Sequence, residues 1–326
     1  MKCPNCSSTD AIWKSKAAKW ECNSCEERFD GKSCPHCNSQ DVVWKSKAGE
    51  WECSSCEERF SDQPAEITTE QMVKVESGTL PADSELAGTK VATFEIGVYA
   101  VTMGDWQRVR TWAVANGFDF EMGKTWRDCG PQHPVTEVNW YDCVKWCNAR
   151  SVMEGLEPVY SVKQSEGCYC QGEFGDIGSE NVIINQNATG YRLPSEAEWE
   201  WAARGGRNSR DYTFAGSDNL NAVGWYVLNS GNKPHKVGEK KPNEIGLYDM
   251  SGNVWEMCWD KDASSYPISR GGSWYGMECE EDEAEEGIEE GGGQEKFCSL
   301  SKGRLAFPSA FRNYEIGFRL ARSCKN

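Results

Sequence analysis

Apolar and polar positions change rhythm several times along this chain, and each rhythm predicts a different element. MVKVESGTL (residues 72–80) and VATFEIGVYAVT (residues 91–102) alternate and are rich in β-branched side chains, which predicts half-buried strands. A helix is predicted to begin after Thr102 and to end near Gly117. Another follows Asn139, where WYDCVKWCNARSVM places Trp140, Cys143, Val144 and Cys147 on one face before Gly155 stops it. In GYRLPSEAEWEWAARGG the helix start is explicit. Ser195 is a natural N-cap, Glu198 completes a capping box, and Gly205 with Gly206 terminates the helix. Glu196, Glu198 and Glu200 favour the positive helix end, so capping explains these acids without a catalytic role.

The first 60 residues follow a different logic. Cys3, Cys6, Cys22 and Cys25 form two CxxC pairs, and Cys34, Cys37, Cys53 and Cys56 repeat the spacing 31 positions later. IWKSKAAKWECNSCEERF and VWKSKAGEWECSSCEERF align without a gap, which marks an internal duplication. Each CxxC turn presents two thiolates on one side, and two turns complete a tetrahedral sulfur shell suited to Zn²⁺. A stretch of about 30 residues cannot bury enough apolar surface to fold alone, so the metal must supply most of its folding free energy. Four cysteines per site leave no open coordination position, so both expected zincs are structural.

The expected organisation is therefore a zinc ribbon over residues 1–31, a second over 32–60, a polar linker over 61–70 and one large domain over 71–326. Charge narrows the partners. The net charge of -16 argues against a nucleic-acid footprint, and neither ribbon is basic overall, so they are expected to dock protein or act as spacers. Residues 278–290 hold nine carboxylates and no base, the signature of a solvated loop. No apolar run is long enough to cross a bilayer and the N-terminus lacks a signal-peptide core, so a cytoplasmic protein without a membrane partner is expected. In that compartment the 17 cysteines read as metal ligands or free thiols. Cys168 and Cys170 should point to opposite faces of an extended segment.

VTEVNWYDCVKWCNAR, GYRLPSEAEWEWAARGG, NEIGLYDMSGNVWEMCWD, SRGGSWYG and IGFRLARS occur in the order and approximate spacing of the formylglycine-generating enzyme (sulfatase-modifying factor) family, which the chain resembles over residues 71–324. The resemblance implies an α+β, C-type-lectin-like fold with short helices and small twisted sheets. It also implies structural Ca²⁺, held by the carboxylates of Asp249 and Glu256 with the carbonyls of Gly252 and Val254, and a second site near Asn221 and Ala222.

Active members of the family oxidise a substrate cysteine with Cu(I) held by two cysteines five residues apart, shortly after the GGSW-like segment. This chain departs there. The nearby cysteines are Cys279 and Cys298, separated by the acidic insertion; Cys298 resembles the second ligand and Gly293 stands at the first position. One thiolate cannot reproduce a two-coordinate copper site, which disfavours copper and oxidase activity, although a looped-out insertion would bring Cys279 and Cys298 together. Non-catalytic relatives, including variable proteins of diversity-generating retroelements, display a recognition surface on the same frame. By that likeness the binding face for a protein or other macromolecular ligand would draw on Trp255, Ser273, Trp274, Tyr275, Arg304, Phe311, Arg312, Asn313 and Tyr314. Trp255 and Trp274 read equally well as core, Arg319 and Arg322 as framework, and Phe318 as core.

Overall fold

A computed structural model describes residues 71–120, 123–124, 129–165, 167–172, 177–275 and 292–324, together with the backbone of six short strands before residue 61. The chain divides into two compact units, Met1–Thr69 and Glu70–Asn326.

In the first unit β1 (Ala11–Lys14), β2 (Lys19–Cys22) and β3 (Arg28–Asp30) form one antiparallel sheet, and β4 (Val42–Lys45), β5 (Glu50–Cys53) and β6 (Arg59–Phe60) form a second. The registers repeat: Trp13 lies opposite Trp20, and Trp44 opposite Trp51. The duplication is thus a duplication of backbone as well as of sequence. The side chains of the eight cysteines expected to bind zinc, and the linker 61–70, lie outside the described residues.

The second unit holds β7 (Met72–Val75), β8 (Gly78–Thr79), β9 (Lys90–Val91) and β10 (Phe94–Gly97), then α1 (Met103–Ala115) and α2 (Trp140–Met153). There follow β11 (Tyr160–Val162), β12 (Val182–Ile184), β13 (Tyr191–Arg192), α3 (Glu196–Ala203), the single turn α4 (Leu220–Val223), β14 (Trp255–Lys261) and β15 (Pro267–Arg270). It ends with α5 (Gly292–Cys298), β16 (Arg304–Ala306), β17 (Ile316–Phe318) and β18 (Ala321–Ser323). Small sheets, short helices and long connections make up the mixed architecture.

The expected helix starts are all present. Thr102 caps α1, Asn139 and Asp142 form a capping box at α2, and Ser195 with Glu198 forms one at α3. One expectation needs correction, because α2 does not present a single apolar face. Every residue from Trp140 to Ser151 is buried. Trp146 stacks on Trp106 of α1 at 5.9 Å, while β13 packs elsewhere on the helix. Its polar groups survive burial because they are partnered: Lys145 reaches Asp119 at 2.6 Å, and the Asn148 side chain accepts from the Val159 and Tyr160 amides and donates to the Tyr160 and Tyr169 carbonyls. Cys143 and Cys147 are buried free thiols within this core. Cys168 and Cys170 are half-buried free thiols packed against the same core.

Two sheets position the candidate site. Strands β13, β18, β10 and β7 form the first, in that order, and β16, β15, β14 and β17 the second. In the second, β14 and β17 run parallel with Trp255 opposite Ile316, so the Trp255 amide donates to the Glu315 carbonyl at 2.8 Å. That register brings the strand of the GNVWE motif against the segment preceding the GFR motif. The ends of both strands, the GGSW turn and the end of α5 then converge.

Candidate functional site

Tyr226, Val227, Trp255, Ser273, Tyr275, Phe297 and Cys298 line a recess of about 240 Å³ including its open mouth. Gly271 and Gly272 make its floor possible. Both have positive φ, and a Cβ on Gly272 would lie 2.6 Å from the Cys298 sulfur, so a side chain at this turn would displace α5. Trp255 is buried at the foot of the recess, where its ring meets Phe297 edge-on at 6.0 Å. Trp274 is also buried, with Tyr275 and Tyr314 packed around it at 5.2 and 5.7 Å. Tyr275 itself is 38% exposed at the rim.

The Ser273 hydroxyl is shared between the Tyr275 carbonyl at 2.9 Å and the Glu315 carboxylate at 2.5 Å. Burial pushes the Glu315 carboxyl above the usual carboxylate range, and the Ser273 hydrogen bond only partly offsets it. Tyr226 donates from its hydroxyl to Glu295 at 3.3 Å.

The sequence-derived binding face divides on folding. Trp255, Ser273 and Tyr275 meet in this recess, with Trp274 and Tyr314 behind them. Arg304 and Arg312 are spoken for: Arg304 pairs with Glu196 at 2.7 Å, and Arg312 reaches Asp142 of the α2 capping box at 2.8 Å. Asn313 holds its own loop by accepting from the Glu315 amide on Oδ1 and from the Glu137 amide on its carbonyl. Phe311, 40% exposed, stacks on Phe307 beside a second recess bounded by Trp140, Met257 and Pro308. Sequence reasoning missed Tyr226, Phe297 and Glu315. Only Glu315 left a trace, as a carboxylate immediately before IGFR where burial was certain to follow.

Of the copper candidates, Cys279 lies outside the described residues. Cys298 is fully enclosed, and burial, reinforced by nearby Glu295, pushes its thiol up to about 12. A metal-binding thiolate needs the opposite environment.

The expected calcium ligands fare unequally. Asp249 is buried with φ +57°; Oδ2 accepts from the Gly238 amide at 2.8 Å, and Oδ1 has no partner. Burial raises its carboxyl to about 6. Glu256, by contrast, accepts from Arg319 through both oxygens and from the Trp199 indole at 2.7 Å. It could bind metal only by exchanging the guanidinium. Gly252 also has φ +88°, tucked against the Trp225 carbonyl, so the turn carrying these groups is tightly set. At the second expected site the Asn221 carbonyl accepts from the Lys240 ammonium at 2.7 Å, and the Ala222 carbonyl from the Lys241 amide at 3.1 Å. Lys240 also lies 3.9 Å from the Trp225 ring centre, so a built-in cation already occupies the Asn221 oxygen. The unpartnered Oδ1 of Asp249 fits a metal; the Asn221 and Ala222 carbonyls already accept from Lys240 and Lys241.

Glu196, Glu198 and Glu200 have the structural roles their positions suggest. Glu198 binds Arg192 at 2.7 Å, and Glu200 binds Arg204 and Arg270 at 2.8 and 2.9 Å. Among the described residues no helix is long and apolar enough to cross a membrane.

The sequence profile described as Sulfatase-modifying factor enzyme 1-like domain matches residues 57–324. Chaperone protein LppX of Paenibacillus barcinonensis is 36% identical over 232 residues, which cover 63% of this chain and 79% of LppX. Among solved structures, CarF superposes with a TM-score of 0.63 at 28% identity, over 78% of this chain and 98% of CarF. Treponema denticola variable protein 1 superposes with a TM-score of 0.59 at 31% identity, over 77% of this chain and 94% of that protein. With motifs and profile in agreement over most of its length, the chain belongs to the sulfatase-modifying factor (formylglycine-generating enzyme) family.

Proposed function

We propose that this protein is a non-catalytic recognition protein, which binds a protein or other macromolecular ligand at the aromatic recess between Tyr275 and α5. The observation that carries this reading is the environment of Cys298. The one described cysteine in the recess is buried at 2% exposure, while the exposed group at the rim is an aromatic side chain, Tyr275. Such a site supports contact better than oxidation, since aromatic side chains at a rim dominate binding energy and one thiolate cannot form a two-coordinate cuprous site. Likeness to a variable protein and to a protein named as a chaperone agrees with recognition of other molecules. On this reading residues around the GGSW turn form a replaceable display surface, the two N-terminal ribbons bind structural zinc and dock a partner in the cytoplasm, and calcium sits at Asp249.

Panning a random peptide library over the wild-type protein and over Tyr275→Ala tests the site. Enriched peptides should bind wild type and lose at least ten-fold on Tyr275→Ala. Peptides that bind both forms equally place recognition elsewhere and contradict the proposal.

A further inference from the structure

Buried carboxylates in the second unit fall into two groups. Asp142, Glu196, Glu200 and Glu256 each have an arginine within 2.9 Å. Asp249 and Glu315, both at 3% exposure, have no ion pair among the described residues. A buried carboxylate without a cation is expensive, and the rest of this fold avoids the expense consistently. Asp249 has a proposed metal to answer it. Among the described residues Glu315 has the hydroxyl of Ser273 as its hydrogen-bond partner, and Ser273 lines the recess.

What surrounds that hydroxyl points to a cation. The walls are the rings of Tyr226, Trp255, Tyr275 and Phe297, whose faces are electron-rich, and Glu295 adds a carboxylate beside the Tyr226 hydroxyl. The lining contributes no lysine or arginine. The net charge of -16 adds a long-range field that draws cations.

We propose that the recess takes an organic cation, the ammonium or guanidinium head of a lysine-like or arginine-like ligand, with the Ser273–Glu315 pair supplying the countercharge and the aromatic walls the contact. The proposal rests on the recognition reading above and narrows it to a ligand class. The cation reaches the site either as a free small molecule or as a side chain of a protein.

Saturation-transfer NMR titrations of the full chain test it, with N-acetyl-L-arginine methylamide and its lysine counterpart as cations, the citrulline counterpart as neutral isostere and the glutamate counterpart as anion. The expected result is that at least one cation binds ten-fold or more tightly than citrulline, with no measurable glutamate binding. Glu315→Gln should abolish that preference, and Tyr275→Ala, at an exposed position safe for folding, should weaken the cation at least five-fold. A further ten-fold gain when the same residue is carried within a peptide marks a protein source, and equal affinity marks a small molecule; both support the class. Citrulline or glutamate binding as tightly as the cations, in a Tyr275-dependent way, overturns the cation but leaves recognition standing. Cation affinity unchanged in folded Glu315→Gln also overturns it. If no probe of any charge shows Tyr275-dependent binding, the cation is overturned; the recognition reading fails with it only where the panned peptides also bind wild type and Tyr275→Ala equally.

Discussion

Arg319 holds both carboxylate oxygens of Glu256, at 2.9 Å through Nε and 2.7 Å through Nη2, while its remaining donors reach the carbonyls of Gly97 and Tyr248. The pair is fully buried and ties β14 to the first sheet through the segment before β18. A carboxylate that the family resemblance assigns to calcium is here committed to a guanidinium.

Removing one partner strands the other charge in the interior. Glu256→Gln should lower stability by about 3 to 5 kcal/mol, read as a shift in the urea midpoint, because the guanidinium loses its countercharge. A shift near zero would mean that Glu256 is not the countercharge of Arg319.

Asp249 gives a pH signature. Its folded carboxyl is raised to about 6 against an ordinary 3.8, so its protonated form favours the folded state. That contribution is complete below about pH 4 and is lost as pH rises through 6, a difference on the order of 3 kcal/mol. In metal-free buffer Asp249→Asn should therefore gain stability over wild type between pH 5 and 7, since asparagine tolerates the left-handed backbone and carries no charge. Adding Ca²⁺ at pH 7 should raise the wild-type Tm and leave the variant unmoved. Equal Ca²⁺ shifts in both would remove the metal from Asp249.

Side chains around the recess should separate by burial. Trp274→Ala, at a buried position, is expected to destabilise by about 3 to 5 kcal/mol, whereas Tyr275→Ala should stay within about 0.5 kcal/mol of wild type. Thermal unfolding distinguishes them. Comparable losses at both positions would show that Tyr275 is framework and not a contact residue.

The N-terminal unit should depend on metal. Two zinc equivalents per chain are expected by elemental analysis, and a zinc-selective chelator, with Ca²⁺ kept in excess, should unfold residues 1–60 while leaving the melting of residues 71–326 unchanged. Retention of the β-strand circular dichroism of an isolated 1–60 fragment after chelation would exclude structural zinc.

Much of this was legible before folding, and the parts that were not share a cause. Caps declare themselves locally, so Thr102, Asn139 and Ser195 could be read one residue at a time. The burial of α2 on every side could not, because Lys145 and Arg150 look solvent-facing until Asp119, Glu154 and the Tyr191 ring are placed beside them. The binding face suffered similarly. Arg304 and Arg312 resemble exposed contact residues in sequence, yet their acids come from α3 and α2, more than a hundred positions away. Glu315 became visible only as the exception to a pattern of paired buried charges. Long-range partners decide which charges are framework, and spacing along the chain does not encode them.

Recognition without oxidation is tested most directly by the mass of a CxPxR peptide after aerobic incubation with the full chain and Cu(I). The unmodified thiol mass should persist, with no stoichiometric two-thiolate Cu(I) complex in the absorption spectrum. Catalytic conversion of the cysteine to the aldehyde, lost in Cys298→Ser, would contradict it.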